Sequence, residues 1–444
     1  MAPRFGTDGV RGVANTELTP SFAIRLGRAA ARVLRVSDIV IGRDTRQSGP
    51  MLEAAFAAGL ASEGVNVHLL GVLPTPGVAH IAARNGWAGA VISASHNPFA
   101  DNGIKLFAAG GTKLPDEVEA RIEVELGGLG NPTRSGADVG HIGDAQRLAA
   151  FYRQHLMASL EPASLLGLSI VLDTGNGASY ALADGVFGKL AATTHTINDR
   201  PDGININANC GATHPEELQR VVVKRGADLG LAFDGDADRL MAVDHTGNIV
   251  DGDHVMAILA LDMKQRRVLK KNTVVVTVMT NLGFRRAMTA AGINVVETGV
   301  GDRYVLQALD EGGFSLGGEQ SGHVIFRDFA STGDGMLTGL MLADVVRRKR
   351  RPLADLAADA MTHLPQVLLN VRLARRDPEL LTKMQPHIEA AVADLGDRGR
   401  ILVRASGTEP LLRVMVEAED AGQAQEIAQG LVDRIEAFDR QTKR

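Results

Sequence analysis

The sequence predicts an α/β protein: three similar α/β domains with mixed sheets, followed by a smaller C-terminal α+β domain. Three observations lead there. Short β-branched or aliphatic runs alternate with amphipathic stretches, which is the pattern of βα units. That alternation restarts near residues 150 and 250, a repeat of pattern rather than of identity. After residue 365 the order changes to strands flanked by two helices. The expected domains are therefore 1–150, 151–250, 251–365 and 366–444. Length alone, 444 residues at about 150 per domain, asks for roughly three.

In chain order the predicted strands are Ile39–Ile41, Val65–Leu70, Ala88–Ser93, Ser169–Asp173, Ala227–Phe233, Thr273–Thr277, Ile293–Glu297 and Ser315–Leu316. Predicted helices lie between them. Pro50–Ser62 puts Leu52, Ala55, Phe56, Gly59 and Leu60 on one face, and Pro215–Lys224 opens on a proline. The C-terminal stretch reads as strand Gln366–Leu373, helix Pro378–Asp394, strands Ile401–Ala405 and Leu411–Glu417, and helix Ala421–Phe438. The run Arg347–Arg351 before Pro352 reads as a solvated surface at a helix boundary.

Composition narrows the function. Hydrophobic residues make up 45% and charged residues 22%, which excludes wholesale disorder. Net charge is only -5, from 47 basic against 52 acidic residues, so nothing suggests a broad basic surface for nucleic acid. The single cysteine, Cys210, cannot form an intramolecular disulfide or a cysteine-based zinc site. No apolar leader is visible at the start, and runs such as Val274–Met279 fall short of a membrane span. The expectation is a cytoplasmic soluble protein.

Four loops carry the chemistry, and each follows a predicted strand: Ser93–Pro98, Asp234–Arg239, Gly318–His323 and Arg404–Pro410. In open α/β sheets the ligand crevice lies beyond the carboxyl ends of strands, so one such loop per block points to a shared central cleft. Asp234, Asp236 and Asp238 repel one another unless a cation sits between them. In an extended strand, residues two apart are about 6.6 Å from each other, so the chain must curl, and Gly235 and Ala237 leave room for it. An all-oxygen set suits Mg²⁺ or Ca²⁺. The loop is not an EF-hand, because Arg239 and His245 stand where that motif needs glycine and glutamate.

Ser95 offers a hydroxyl nucleophile, with His96 beside it and Lys105 close in sequence. Without a Gly-x-Ser-x-Gly elbow this is no hydrolase signature, and a plain Asn97-Pro98 turn reads equally well from spacing. Arg404, Ser406, Gly407, Thr408 and Arg413 combine arginine forks with small residues that can turn N–H groups inward, an arrangement suited to phosphate. Glu319, Ser321 and His323 can hydrogen-bond sugar hydroxyls, although a glycine hairpin with polar residues explains them as well. Phe5–Gly12 reads as an N-terminal turn, and Thr174–Ser179 as structural, since neither phosphate-loop nor dinucleotide glycine spacing is present.

Taken as a set, Ser-His-Asn-Pro, Asp-Gly-Asp-x-Asp-Arg, Gly-Glu-x-Ser-Gly-His and Arg-x-Ser-Gly-Thr-Glu-Pro resemble the α-D-phosphohexomutase superfamily over the whole chain. The start Phe5–Arg11, Gln320 and Val300–Tyr304 resemble the bacterial branch acting on glucosamine phosphates. The resemblance implies four domains around a central cleft. It implies a phosphoserine at Ser95, and one Mg²⁺ per chain held by it with Asp234, Asp236 and Asp238. It implies catalytic roles for Ser95, Lys105, Arg11 and His96. On this reading Lys105 is the acid/base, Arg11 gives electrostatic support and His96 assists. It further implies sugar contacts from Glu319, Ser321, His323 and Arg239, and phosphate contacts from Arg404, Ser406, Gly407, Thr408 and Arg413. The expected partner is a small phosphosugar, with a sugar 1,6-bisphosphate as activator and intermediate, and with neither nucleic acid nor membrane. A homodimer is admitted. The alternatives are a mutase for mannose or glucose phosphates and, from another reaction class, a sugar-phosphate phosphatase.

Overall fold

The structure, a computed structural model, describes residues 3–6, 8–132, 134–373, 379–405 and 411–441. The chain forms two compact units, one of Met1–Met279 with Gly292–Ala360 and the other of Thr280–Ala291 with Met361–Arg444.

Among the described residues the first unit holds three mixed sheets. A seven-stranded sheet runs in the order Phe5–Gly6, Gly9–Val13, Asp101–Phe107, Ala88–Ile92, Asp38–Arg43, Asn66–Val72 and Ile142–Asp144. A five-stranded sheet places Leu229–Phe233 between Leu240–Asp244 and Ser169–Asp173. A four-stranded sheet has Thr273–Thr277 beside Asn294–Thr298 and Leu316–Gly318, with Val324–Phe326 at its edge. The predicted parallel strands form within one or two residues of their expected bounds. Most are buried on both faces, as Ile39, Val40 and Ile41 show with no exposed surface, while Asn66–Val72 and Asn294–Thr298 are partly exposed.

The repeat has a common device. In each sheet a buried parallel strand ends in a polar loop, and the chain returns antiparallel beside it. Ala88–Ile92 is followed by Asp101–Phe107, Leu229–Phe233 by Leu240–Asp244, and Leu316–Gly318 by Val324–Phe326. None of these return strands was among the predicted ones. The Phe5–Gly12 segment is also more than a turn: Phe5–Gly6 and Gly9–Val13 pair with each other, and the second extends the sheet against Asp101–Phe107. The arginine run caps the helix Gly335–Lys349 but is not simply solvated. Arg348 forks onto buried Asp262, at 3.1 and 2.7 Å, and reaches Asp344 at 2.6 Å.

The second unit is the expected α+β domain. Leu411–Ala418 runs antiparallel between Gln366–Arg372 and Gly399–Ala405. Helices Leu380–Leu395 and Ala421–Gln441 pack Leu380, Met384, Ala428 and Leu431 against Leu412, Val414 and Val416. The helix Leu282–Ala290 joins this unit instead of the sheet that precedes it in sequence. Its first N–H, on Leu282, donates to Glu417 Oε2 at 2.9 Å, and Arg400 holds the same buried carboxylate at 3.0 Å.

Candidate functional site

Two of the polar loops of the first unit meet at Ser95, and the third reaches the aspartate loop through His323. Ser95 sits just past the strand Ala88–Ile92 with φ +51°, in the left-handed region that a non-glycine residue enters only when its surroundings enforce it. It is 1% exposed, and its Oγ donates to Asp234 Oδ2 at 2.6 Å. The Nδ1 of His96 lies 3.3 Å from the same Oγ. Burial, with Arg239 and Arg11 nearby, lowers the His96 pKa to about 4, so its ring is neutral at pH 7.

The aspartate loop curls as the sequence requires. Ala237 takes φ +55° and its N–H donates to the Asp234 carbonyl at 3.0 Å, which folds the three carboxylates onto one side. Gly235 is demanded by proximity, since a Cβ there would lie 2.5 Å from the Ser95 carbonyl oxygen. Asp234, Asp236 and Asp238 are all buried, with ligand atoms within 4.8 Å of one another. Burial and then the neighbouring carboxylates push the pKa of both Asp234 and Asp236 up. Two oxygens, Asp236 Oδ1 and Asp238 Oδ1, are buried without a hydrogen-bond partner. A compact, buried, all-carboxylate set with free lone pairs fits a divalent cation, and that is a test the residues pass on their own geometry.

Cations surround this set. Lys105, on the strand Asp101–Phe107, is 5% exposed and places Nζ 2.7 Å from Asp8 Oδ1, 3.4 Å from Asp238 Oδ2 and 4.0 Å from Asp236 Oδ2. Burial opposes the charge, yet these carboxylates outweigh it and hold the lysine pKa above its ordinary value. Lys105 therefore stands in this site as a firmly held cation. Arg11 pairs with Asp8, and its Nε is buried without a partner. Arg239 donates its backbone N–H to Asp234 Oδ1 at 3.1 Å and brings its Nε to 3.8 Å from Asp238.

The third loop brings Glu319, Ser321 and His323, and places them differently. Ser321 is exposed. Glu319 accepts the Gly301 N–H at 3.1 Å. His323 is 2% exposed and faces the aspartates, with Nδ1 at 3.6 Å from Asp238 Oδ1 while Nε2 accepts the Gly333 N–H at 3.0 Å. Gln320 turns away to Asp251, which caps the helix Gly252–Gln265. Thr174–Ser179 backs the aspartate loop: the Ala178 N–H donates to the Gly235 carbonyl at 2.8 Å, in keeping with a structural role.

Several functional neighbours lay outside the sequence reading. Thr75 opens the helix Thr75–Asn85 and donates its hydroxyl to Asp236 Oδ2 at 2.6 Å and its N–H to the Asp236 carbonyl at 2.9 Å. Lys113 joins Asp8 and Asp302, at 3.6 and 2.5 Å, and Arg303 reaches Asp116 and Glu119. Cys210 is buried, with its thiol pushed up to about 12 by burial, which leaves it inert.

In the second unit Arg404 and Arg413 stand directly opposite each other on adjacent antiparallel strands. Burial and the Arg413 charge both lower the Arg404 pKa, and among the described residues Arg413 Nε is buried without a hydrogen-bond partner. Like charges facing across a strand pair destabilise it unless an anion lies between them. Ser406, Gly407 and Thr408 lie outside the described residues.

Comparison with known proteins follows the same division. The families described as phosphoglucomutase/phosphomannomutase alpha/beta/alpha domains I, II and III match residues 2–128, 148–247 and 251–364, and the C-terminal domain of the same set matches 368–434. The chain is 52% identical over 446 residues to a curated phosphoglucosamine mutase of Rhodococcus jostii (strain RHA1), covering 98% of this chain and 99% of that one. It is similar to the crystal structure of a phosphoglucomutase/phosphomannomutase family protein from Burkholderia thailandensis, with TM-score 0.81, 26% identity, and 99% and 98% of the two chains covered. The fold is also that of Aspergillus fumigatus N-acetylphosphoglucosamine mutase, solved with GlcNAc-6P and magnesium, with TM-score 0.70, 18% identity, and coverage of 98% and 95%.

Proposed function

This chain belongs to the phosphoglucomutase/phosphomannomutase family, and on that premise we propose that it interconverts glucosamine 6-phosphate and glucosamine 1-phosphate through a phosphoserine at Ser95. The observation that carries the reading is the buried Ser95 Oγ, bonded at 2.6 Å to one of three clustered aspartates. The half of the reading that names the sugar rests on the 52% identity to a phosphoglucosamine mutase.

The chemistry balances as two transfers. In the first, the bond between phosphorus and the Ser95 Oγ breaks as one forms to O1 of glucosamine 6-phosphate; the sugar hydroxyl loses a proton and the seryl oxygen gains one. The product is a bound 1,6-bisphosphate. After it turns over, the Ser95 oxygen takes the phosphoryl group from O6, which leaves glucosamine 1-phosphate. Phosphoryl transfer of this kind depends on positioning and electrostatic stabilisation. Asp234, Asp236 and Asp238, with the seryl phosphate, would hold a Mg²⁺ ion, which when bound would supply Lewis-acid charge stabilisation. Lys105 and Arg11 add fixed positive charge beside it, and the neutral His96 ring, 3.3 Å from Oγ, takes the proton. Glu319, Ser321 and Arg239 take the sugar while His323 braces Asp238. Arg404, Arg413 and the small residues 406–408 take the phosphate that is not reacting. The product feeds UDP-N-acetylglucosamine and cell-wall precursor synthesis in the cytoplasm.

Phosphorus NMR of the protein with Mg²⁺, a trace of glucose 1,6-bisphosphate and glucosamine, glucose or mannose 6-phosphate tests this. The expected result is kcat/KM for glucosamine well above the other two. Better turnover of glucose or mannose moves the chain to a neighbouring specificity, and free phosphate alone makes water the acceptor and overturns the mutase reading.

A further inference from the structure

Arg46 is among the largest side chains in the molecule with no exposed surface, and nothing in the chemistry above uses it. All five of its N–H donors are occupied. Nε donates to Asp44 Oδ2 at 2.8 Å. Nη2 donates to the carbonyls of Ser95 at 2.9 Å and Asn97 at 2.8 Å, and Nη1 to those of Asp101 at 3.0 Å and Pro98. One guanidinium thus gathers four carbonyls of a single loop, the one that presents Ser95.

The other end of the circuit closes on the same residue. Asp44 Oδ2 also accepts the Ser93 hydroxyl at 2.6 Å, and Ser93 Oγ in turn accepts the Ser95 N–H at 2.9 Å. Both backbone polar groups of Ser95 therefore run back to the Arg46–Asp44 pair, its carbonyl directly and its N–H through Ser93. Asn207, from the second sheet's domain, adds its Nδ2 to the Ser95 and Asn97 carbonyls at 2.9 and 3.2 Å. Fixing both peptide planes around a residue fixes its φ and ψ. Ser95 holds φ +51°, a conformation an L-residue leaves when free to do so.

We propose that Arg46, acting through Asp44 and the loop carbonyls, is the positioning residue that locks Ser95 in its left-handed conformation and so aims Oγ along the line of phosphoryl transfer. The proposal rests on Ser95 being the phosphoryl carrier. A planar fork is required, because a lysine offers one compact charge and cannot reach four carbonyls and a carboxylate together. A misplacement of about 1 Å costs phosphoryl transfer up to about 10²-fold, with no contact to the sugar lost.

The test compares wild type, Arg46→Lys, Asn207→Ala and Ser95→Ala. Intact mass first gives the fraction of chains phosphorylated after treatment with glucose 1,6-bisphosphate. Rapid quench then gives the single-turnover rate constant for transfer from the phosphoenzyme to glucosamine 6-phosphate. A rate constant, unlike kcat, does not change when fewer chains are folded, so a purely structural role leaves it unmoved. Arg46→Lys is expected to lower it about 10- to 100-fold with KM within about threefold, and Asn207→Ala to lower it less, in the same sense. A wild-type rate constant in Arg46→Lys, with Ser95→Ala inactive, overturns the positioning role alone. Full activity in Ser95→Ala removes the phosphoserine reading and this proposal with it. Should Arg46→Lys fail to fold, Asn207→Ala decides: a lowered rate constant at constant KM supports the lock, and an unchanged one overturns it.

Discussion

Arg46 and the pair Arg404 and Arg413 each stand at a pair of antiparallel strands, yet their surroundings are opposite. Arg46 is fully buried and every N–H it carries ends on an acceptor of the same chain. Arg404 and Arg413 face each other across a strand pair as like charges, with Arg413 Nε buried and unpaired among the described residues. The aspartate triad is the mirror image of that arginine pair: three buried carboxylates, two of them with an oxygen left over. Charge satisfied inside the fold holds the protein's own loop in place. On the proposed function, charge left over is directed at something that arrives, a phosphate in one case and a cation in the other. Substitutions should accordingly split by sign: removing a leftover charge relieves repulsion and stabilises the empty protein while lowering function, whereas removing Arg46 destabilises it, since Asp44 is then a buried charge without its partner.

The largest effect expected from breaking this split is at Asp236. Asp236→Asn should lower kcat by about 10²- to 10³-fold and raise the Mg²⁺ concentration for half-maximal rate by at least about tenfold. It should also raise the melting temperature measured in EDTA, because one of three repelling carboxylates is gone. A lowered melting temperature would place Asp236 with Arg46, among charges the fold itself uses.

Arg413→Met comes next. It should raise KM for glucosamine 6-phosphate and glucosamine 1-phosphate together, by about 10- to 100-fold, the worth of a charge-assisted hydrogen bond or two. Stability should rise by about 0.5 kcal/mol as the cross-strand repulsion with Arg404 disappears. Steady-state kinetics and denaturant titration check the two halves separately, and an unchanged KM takes the arginine pair out of the phosphate site.

The smallest effect concerns a buried group that resolves its charge by keeping its proton. Asp334 caps the helix Gly335–Lys349, accepts the Tyr152 hydroxyl at 3.0 Å, and has its pKa raised by burial from 3.8 to about 7. The folded chain therefore holds a proton that the unfolded chain releases near pH 4. The stability this gives is full below about pH 4 and is lost as pH rises toward 7. Asp334→Asn, still able to cap, should flatten the fall in denaturation midpoint between pH 5 and 7.5. Parallel curves for the two proteins would contradict it.

The sequence was most legible where chemistry is local. Spacing of two placed Asp234, Asp236 and Asp238 on one cation-sized cluster, and the strand that precedes each loop put Ser95 and Glu319 at strand ends. The return strands were illegible because each begins inside or against a polar loop; Asp101-Asn-Gly is turn chemistry by itself, and pairing with Ala88–Ile92 overrides it. The residues that hold the site were illegible for a different reason. Thr75 meets Asp236 across 161 positions and Asn207 meets Ser95 across 112, so no window of sequence contains both partners. The same holds for Leu282–Ala290, whose amphipathic pattern says that it packs but not that it packs on Glu417. His323 could be picked out as a polar residue of the third loop, whereas its burial against Asp238 depends on the loop's approach to a different sheet.

The central claim is that Ser95 carries the phosphoryl group between two positions of one sugar. It is tested most directly by loading the protein with glucose 1,6-bisphosphate labelled with ³²P on both phosphates, mapping the labelled peptide, and chasing with unlabelled glucosamine 6-phosphate and Mg²⁺. Label is expected on the peptide containing Ser95, followed by its transfer into glucosamine bisphosphate and then glucosamine 1-phosphate, with little inorganic phosphate. Label on another residue, or label that leaves only as inorganic phosphate, would contradict it.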